Sequence, residues 1–180
     1  DTAVPTDTLA PTITPTPTIT PLPPLFPTPT ISPVPITATP GDATLLGVAI
    51  QIVDLTNEQR AAAGLPSLNR EVPLEDIGFE RSNDMATRHY FSHEDPETGQ
   101  APVFSLAEAA GYNSAVGENL GRTSVALEQV PARIVTGWMN SPIHRAVILN
   151  PNYSLIGVGL AWDSRQGVWL VTQVLAGSKK

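Results

Sequence analysis

The stretch Trp138-Met139-Asn140-Ser141-Pro142-Ile143-His144-Arg145 puts a histidine just inside a helix start. Ser141 and Pro142 open a short helical turn over residues 141–148, and Asn150-Pro151 stops it. Two further fragments carry chemistry. Tyr90-Phe91-Ser92-His93 stands just past the end of an amphipathic helix, and Gly117-Glu118-Asn119-Leu120 lies in a short extended segment. His93, Glu118 and His144 are far apart in the chain, so they meet only through the fold. Two neutral imidazoles and one carboxylate are a sensible donor set for Zn2+, with a water completing the site, and they equally suit general acid–base work. Each residue alone also reads as structural: a histidine at a helix cap, or a buried glutamate bonded to backbone amides.

Outward from these fragments, apolar spacing predicts a helix over 43–63 through Leu45, Leu46, Ala49, Ile52, Val53 and Leu55. Asp42 or Thr44 caps its start, Gly64 ends it and Pro66 follows. Further helices are expected over 74–89, over 102–110 with Gly111 as its stop, and over 124–139, where Pro131 disturbs the first half. Strands are expected over 116–120, 155–162 and 168–175, the last two joined by a hairpin loop at 163–167. Helices early and strands late indicate an α+β fold with an antiparallel sheet. Gly157 and Gly159, alternating along a strand, mark a place where another backbone comes close.

The chain divides at about residue 42 into a Pro/Thr-rich segment, 1–41, and a folded domain, 42–180. A net charge of −7 without a basic run excludes nucleic acid and disfavours an anionic membrane surface. No stretch holds the roughly 20 apolar residues of a spanning helix. The absence of cysteine means that no disulfide framework holds the domain. Residues 1–40 contain 12 Pro and 12 Thr, which excludes helix and central strand and favours an extended polyproline-II-like tail. Thr beside Pro is the composition of O-glycosylated extracellular stalks, with Thr14, Thr16, Thr18, Thr28 and Thr30 as candidate sites. A start at Asp1 instead of Met fits removal of an export signal. The tail reads as a spacer on a cell surface. Its apolar punctuation by Ile13, Ile19, Leu25, Phe26 and Ile31 reads equally as a connector for self-association through residues 1–41.

An ordered series of fragments then gives the chain a likeness. Asn57-Glu-Gln-Arg60 with Gly64-Leu65-Pro66 is followed by Phe91-Ser-His93, Ala110-Gly111-Tyr112 and Gly117-Glu118-Asn119-Leu120. Trp138 to Arg145, Leu149-Asn150-Pro151, Ile156-Gly157-Val158-Gly159 and Thr172-Gln173 complete it. Over residues 46–176 the chain resembles the CAP superfamily of cysteine-rich secretory, antigen 5 and pathogenesis-related proteins, in its cysteine-free bacterial branch. The resemblance implies a three-layer α-β-α sandwich with a large open cleft. His93, Glu118 and His144 match three of the four cleft residues, and His93 and His144 match metal-binding positions. The fourth, a second glutamate, falls about where Ser141 stands, and Ile143 replaces the usual glycine and is expected to crowd the cleft rim. His89 reads as a surface residue, and Trp138, Tyr153, Trp162 and Trp169 as packing residues. Asn57 and Arg60 read as ties from the first helix to a neighbouring loop.

The expected role is a secreted or cell-surface, non-catalytic binding or structural module. The family resemblance implies roles in interaction, with sterol and lipid binding in some members, and a lipid or glycan is the ligand expected here. The alternatives are a subunit of an extracellular filament assembled through the tail, and a metal-dependent hydrolase using the His/Glu cleft. For the hydrolase, Ser92 is the nearest hydroxyl to His93 in sequence, and no nucleophile stands in a recognisable motif.

Overall fold

The computed structural model describes residues 44–179, so the expectations for residues 1–41 lie outside the described residues. Helix α1 (Leu45–Ala62) starts at Thr44, whose hydroxyl accepts the Gly47 N–H at 3.0 Å. Gly64, at φ +73°, turns the chain away from the helix, as its position predicted. Then come β1 (Asn69–Arg70), α2 (Val72–Arg88), α3 (Pro102–Ala109) and β2 (Val116–Thr123). A 3-10 turn (Leu127–Gln129), α4 (Val130–Asn140), α5 (Pro142–Ile148), β3 (Leu155–Asp163) and β4 (Val168–Ala176) complete the described chain.

Two expectations are corrected. The sheet, in the order β1-β3-β4-β2, is mixed, because β1 runs parallel to β3. Asn69 N–H donates to the Ser154 carbonyl and Glu71 N–H to that of Ile156, so the link from α1 to α2 zips along the edge of β3. Two residues are too few to leave a periodic signal. Pro131 does not disturb a helix either. It stands in the first turn of α4, where its missing N–H has no intrahelical partner to lose.

Helices α1, α4 and α5 cover one face of the sheet, around Ile52, Ile134, Trp138, Ile148 and Ile156. Helices α2 and α3 cover the other, around Leu74, Ile77, Val103, Met85 and Leu170. This is the three-layer α-β-α arrangement. Trp138 and Tyr153 are buried, whereas Trp162 is exposed and stacks at a tilt on Trp169, with ring centroids 4.9 Å apart.

Glycine sets the distance between α2 and the sheet. A Cβ on Gly157 would lie 2.1 Å from the Leu74 carbonyl carbon, and one on Gly159 would lie 1.9 Å from the Phe79 nitrogen. Gly78 on the helix meets Gly159 in the same way, at 2.7 Å from its nitrogen. On the other face, buried Arg60 closes the layer. Its guanidinium donates to the carbonyls of Pro66, Ile148, Asn150 and Tyr153, so α1 holds the chain both before β1 and between α5 and β3. Asn57 exchanges two hydrogen bonds with the Leu68 backbone.

Gly159→Ala is expected to destabilise the domain by more than about 3 kcal/mol in chemical unfolding, because backbone cannot yield as a side chain can. Gly137→Ala, in an exposed turn of α4 with open space around the new methyl, is expected to stabilise it by about 0.5–1 kcal/mol.

Candidate functional site

The inward stripe of α2 runs Leu74, Ile77, Gly78, Arg81, Ser82, Met85, so a guanidinium occupies a core position. Its side chain is 1% exposed and needs acceptors. Arg81 Nε donates to Glu118 Oε1 at 3.0 Å, with the Glu118 side chain 3% exposed on β2. Arg81 Nη2 donates to the carbonyls of Ser92 and His93, and Nη1 to the Tyr90 hydroxyl. That hydroxyl passes its own proton on to Asp84 Oδ2 at 2.6 Å. Burial works against the charge on Arg81, but the Glu118 carboxylate and the hydrogen bonds outweigh it and raise its pKa.

Glu118 Oε2 lies 2.6 Å from His93 Nδ1. An ion-paired carboxylate only accepts, so Nδ1 carries the proton and Nε2 is left as the free lone pair. Thus one glutamate joins a buried arginine to a half-exposed histidine, and both of its oxygens are engaged. His144 lies close enough to feel His93: burial first, then the His93 charge, push its pKa below the ordinary 6.5. The backbone of His144 is fixed from behind. Asn119 Nδ2 donates to its carbonyl at 3.3 Å and to Gln173 Oε1, and Gln173 reaches Thr56 on α1.

The structure therefore brings His93, Glu118 and His144 to one region, with Ser141 beside His144. Ser92 does not form a dyad. Its hydroxyl accepts the Glu94 N–H within a turn, and its carbonyl is held by Arg81. Ile143 is 78% exposed and does not line the cavity beside β2. His89 is on the surface as expected, but it also anchors. At φ +59° it ends α2, and its Nδ1 lies 3.0 Å from Oδ1 of the buried Asp163. Arg81, Tyr90 and Asp84 were missed by sequence reading, though a lone arginine on an otherwise apolar helix face was the available signal.

A cavity of about 320 Å³ opens along β2, an edge strand among the described residues. It is lined by Phe91, Leu120, Gly121, Arg122, Arg133, Ile134, Gly137, Trp138, Ser141 and His144. A second hollow, about 430 Å³ between α2 and α3, is lined by Arg81, Asp84, Arg88 and Asp95 among others. There Arg88 holds Asp84 and Asp95, and it is the main cause of an Asp95 pKa well below the usual carboxylate range.

A resident metal meets a poor donor set. His93 and His144 offer two imidazoles, but the Glu118 carboxylate is already spanned by Arg81 and His93. Among the described residues no group of three His, Cys, Asp or Glu side chains is placed to hold an ion. That falls short of the three protein ligands of a catalytic zinc centre.

Glu118→Gln is expected to destabilise the domain by about 3–5 kcal/mol, since it strands a buried guanidinium. Arg81→Leu combined with Glu118→Leu should recover most of that loss in the same unfolding assay. For His144 the folded pKa is depressed, so its neutral form adds stability that is complete above about pH 6.5 and is lost as pH falls through the folded value. A plot of Tm against pH should fall less steeply below that point for His144→Gln than for the wild type.

Three comparisons bear on the fold and its lineage. The chain is 33% identical over 123 residues to the uncharacterized protein YkwD of Bacillus subtilis (strain 168), covering 68% of this chain and 46% of that protein. It is 37% identical over 110 residues to the uncharacterized membrane protein YlbC of the same organism, covering 61% of this chain and 30% of that one. Among solved structures, an extracellular protein containing a SCP domain from Bacillus anthracis str. Ames superposes with a TM-score of 0.61 at 30% identity, covering 74% of this chain and 41% of that one. The chain thus spans less than half the length of each. The profile of the cysteine-rich secretory protein family, CAP, matches residues 53–175, and the chain belongs to that family.

Proposed function

We propose that this chain is a secreted or cell-surface binding module that holds a ligand in the cleft around His93, Glu118 and His144 without transforming it. The observation that carries the reading is the double engagement of Glu118. A general base needs a free oxygen within reach of the proton it takes. Here one oxygen faces Arg81 and the other faces His93. The location is supported by likeness to an extracellular SCP-domain protein. Among the described residues no helix is long and apolar enough to cross a membrane.

A hydrolytic reading draws on one feature. The Glu118 contact orients His93 so that its Nε2 is the free nitrogen, an arrangement that also serves metal ligation. The test is turnover of a p-nitrophenyl ester and of a mixed peptide substrate, with and without about 100 µM Zn2+, a concentration at which a real centre would raise Tm by several degrees. We expect no saturable turnover above that of a His93→Ala/His144→Ala variant, and no rise in Tm. Saturable turnover lost in that variant would replace the binding reading with an enzymatic one.

The Pro/Thr-rich segment 1–41 completes the proposal as a spacer between a surface and the module, its threonines open to glycosylation. Negative-stain microscopy of the full chain beside a chain starting at Asp42 is expected to show separate particles from both. Filaments from the full chain alone would make the segment a connector between copies.

A further inference from the structure

The cavity beside β2 has features that the cleft histidines do not use. Arg122, from β2, stands with its guanidinium 5.2 Å from the centre of the Phe91 ring, which fixes it at the mouth. Arg133, from α4, lines the same cavity. Among the described residues neither Arg122 nor Arg133 has a carboxylate within 4.0 Å, which is equally true of Arg60, Arg145 and Arg165; what sets this pair apart is that both line one cavity. In a chain of net charge −7, a cavity lined by two arginines and no carboxylate is locally positive among the described residues.

The strand beside them is an edge. Among the described residues β2 pairs only with β4, and Gly177 N–H donates to the Ala115 carbonyl. Continuing the β2–β4 register makes Ala115 and Gly177 a hydrogen-bonded pair, so Gly117, Asn119, Gly121 and Thr123 face β4. Glu118, Leu120 and Arg122 then turn their N–H and C=O groups to the open edge. The Trp138 indole confirms the phase, since it donates to the Leu120 carbonyl at 2.9 Å. That bond blocks a long added strand but leaves the Arg122 end of the edge open. The floor is apolar, with Ile134 seated on Gly121, where a Cβ would lie 2.8 Å from its Cδ1.

We propose that this groove captures the free C-terminus of another polypeptide, in extended form, with an apolar last side chain. The last residue's backbone pairs with the exposed N–H and C=O of Arg122. Its carboxylate meets the guanidinium groups of Arg122 and Arg133, and its side chain lies on Ile134 and Trp138. A volume of about 320 Å³ suits the end of a chain rather than a long segment. The edge argues against an acyl acid, whose hydrocarbon would cover the Leu120 and Arg122 N–H groups without bonding them. The inference rests on the cleft being a binding site and gives it an adjoining subsite, which shares His144 with it, and that subsite's ligand class.

The test is fluorescence anisotropy with the full chain and N-terminally labelled tetrapeptides ending in leucine, as free acid and as amide. We expect the acid to bind at least about tenfold more tightly than the amide, to weaken about tenfold in both Arg122→Gln and Arg133→Gln, and to weaken with salt. Both arginines are exposed and, among the described residues, lack ion pairs, so an unchanged Tm will verify that these variants fold. Equal binding of acid and amide, indifference to both substitutions, or no binding would overturn the proposal. So would a labelled medium-chain acyl acid binding as tightly with the same arginine dependence. Each failure leaves the turnover comparison untouched, so absence of turnover would still support a binding cleft with a different ligand.

Discussion

A guanidinium buried to 1% exposure must be surrounded by acceptors, and the acceptors of Arg81 come from three separate parts of the chain. Glu118 comes from β2, Tyr90 from the end of the α2 region, and the carbonyls of Ser92 and His93 from the loop beyond it. Satisfying one charge therefore fixes a helix, an edge strand and a loop together. The cleft is a by-product of that requirement. His93 is held at its backbone by Arg81 and at its ring by Glu118, so its orientation follows from the burial of the arginine.

This arrangement needs α2 to lie very close to the sheet, and the glycines make that possible. With backbone against backbone at Gly157 and Gly159, Arg81 on the helix is brought into direct contact with a carboxylate on β2. Ser82, the next residue, bonds the Gly159 carbonyl and Thr172, so the helix is pinned in rotation as well as in distance. The opposite layer uses a second buried arginine, Arg60, which pairs with carbonyls alone. Burial lowers its pKa, because no carboxylate offsets the lost hydration. The two arginines show two solutions to one problem: carbonyls suffice for a structural tie, while a carboxylate also orients a histidine.

Much of this was legible in the chain. Helix spacing, the stops at Gly64 and Gly111, the hairpin at 163–167 and the close approach at Gly157 and Gly159 all depend on local patterns that the structure keeps. The ordered fragments around His93, Glu118 and His144 indicated that distant residues converge. What escaped depends on long-range pairing. Strand β1 is two residues long and exists only because β3 lies beside it. The tie from His89 to Asp163 joins residues 74 apart. The engagement of Glu118 by Arg81 could not be read from Gly117-Glu118-Asn119-Leu120, which is silent about the helix that packs over it. An arginine within the stripe Leu74, Ile77, Gly78, Arg81, Ser82, Met85 did signal that buried acceptors had to converge on it, but not that one of them was a carboxylate.

The central claim is that Glu118 is spent on Arg81 and His93, leaving the cleft histidines as oriented binding groups. Nitrogen-15 NMR of the His93 imidazole at about pH 8, where a free histidine is neutral, tests it most directly. The account predicts a proton on Nδ1, shared with Glu118, and an unprotonated Nε2. A proton on Nε2 with Nδ1 bare would contradict it, because Glu118 would then not be the acceptor that holds the ring.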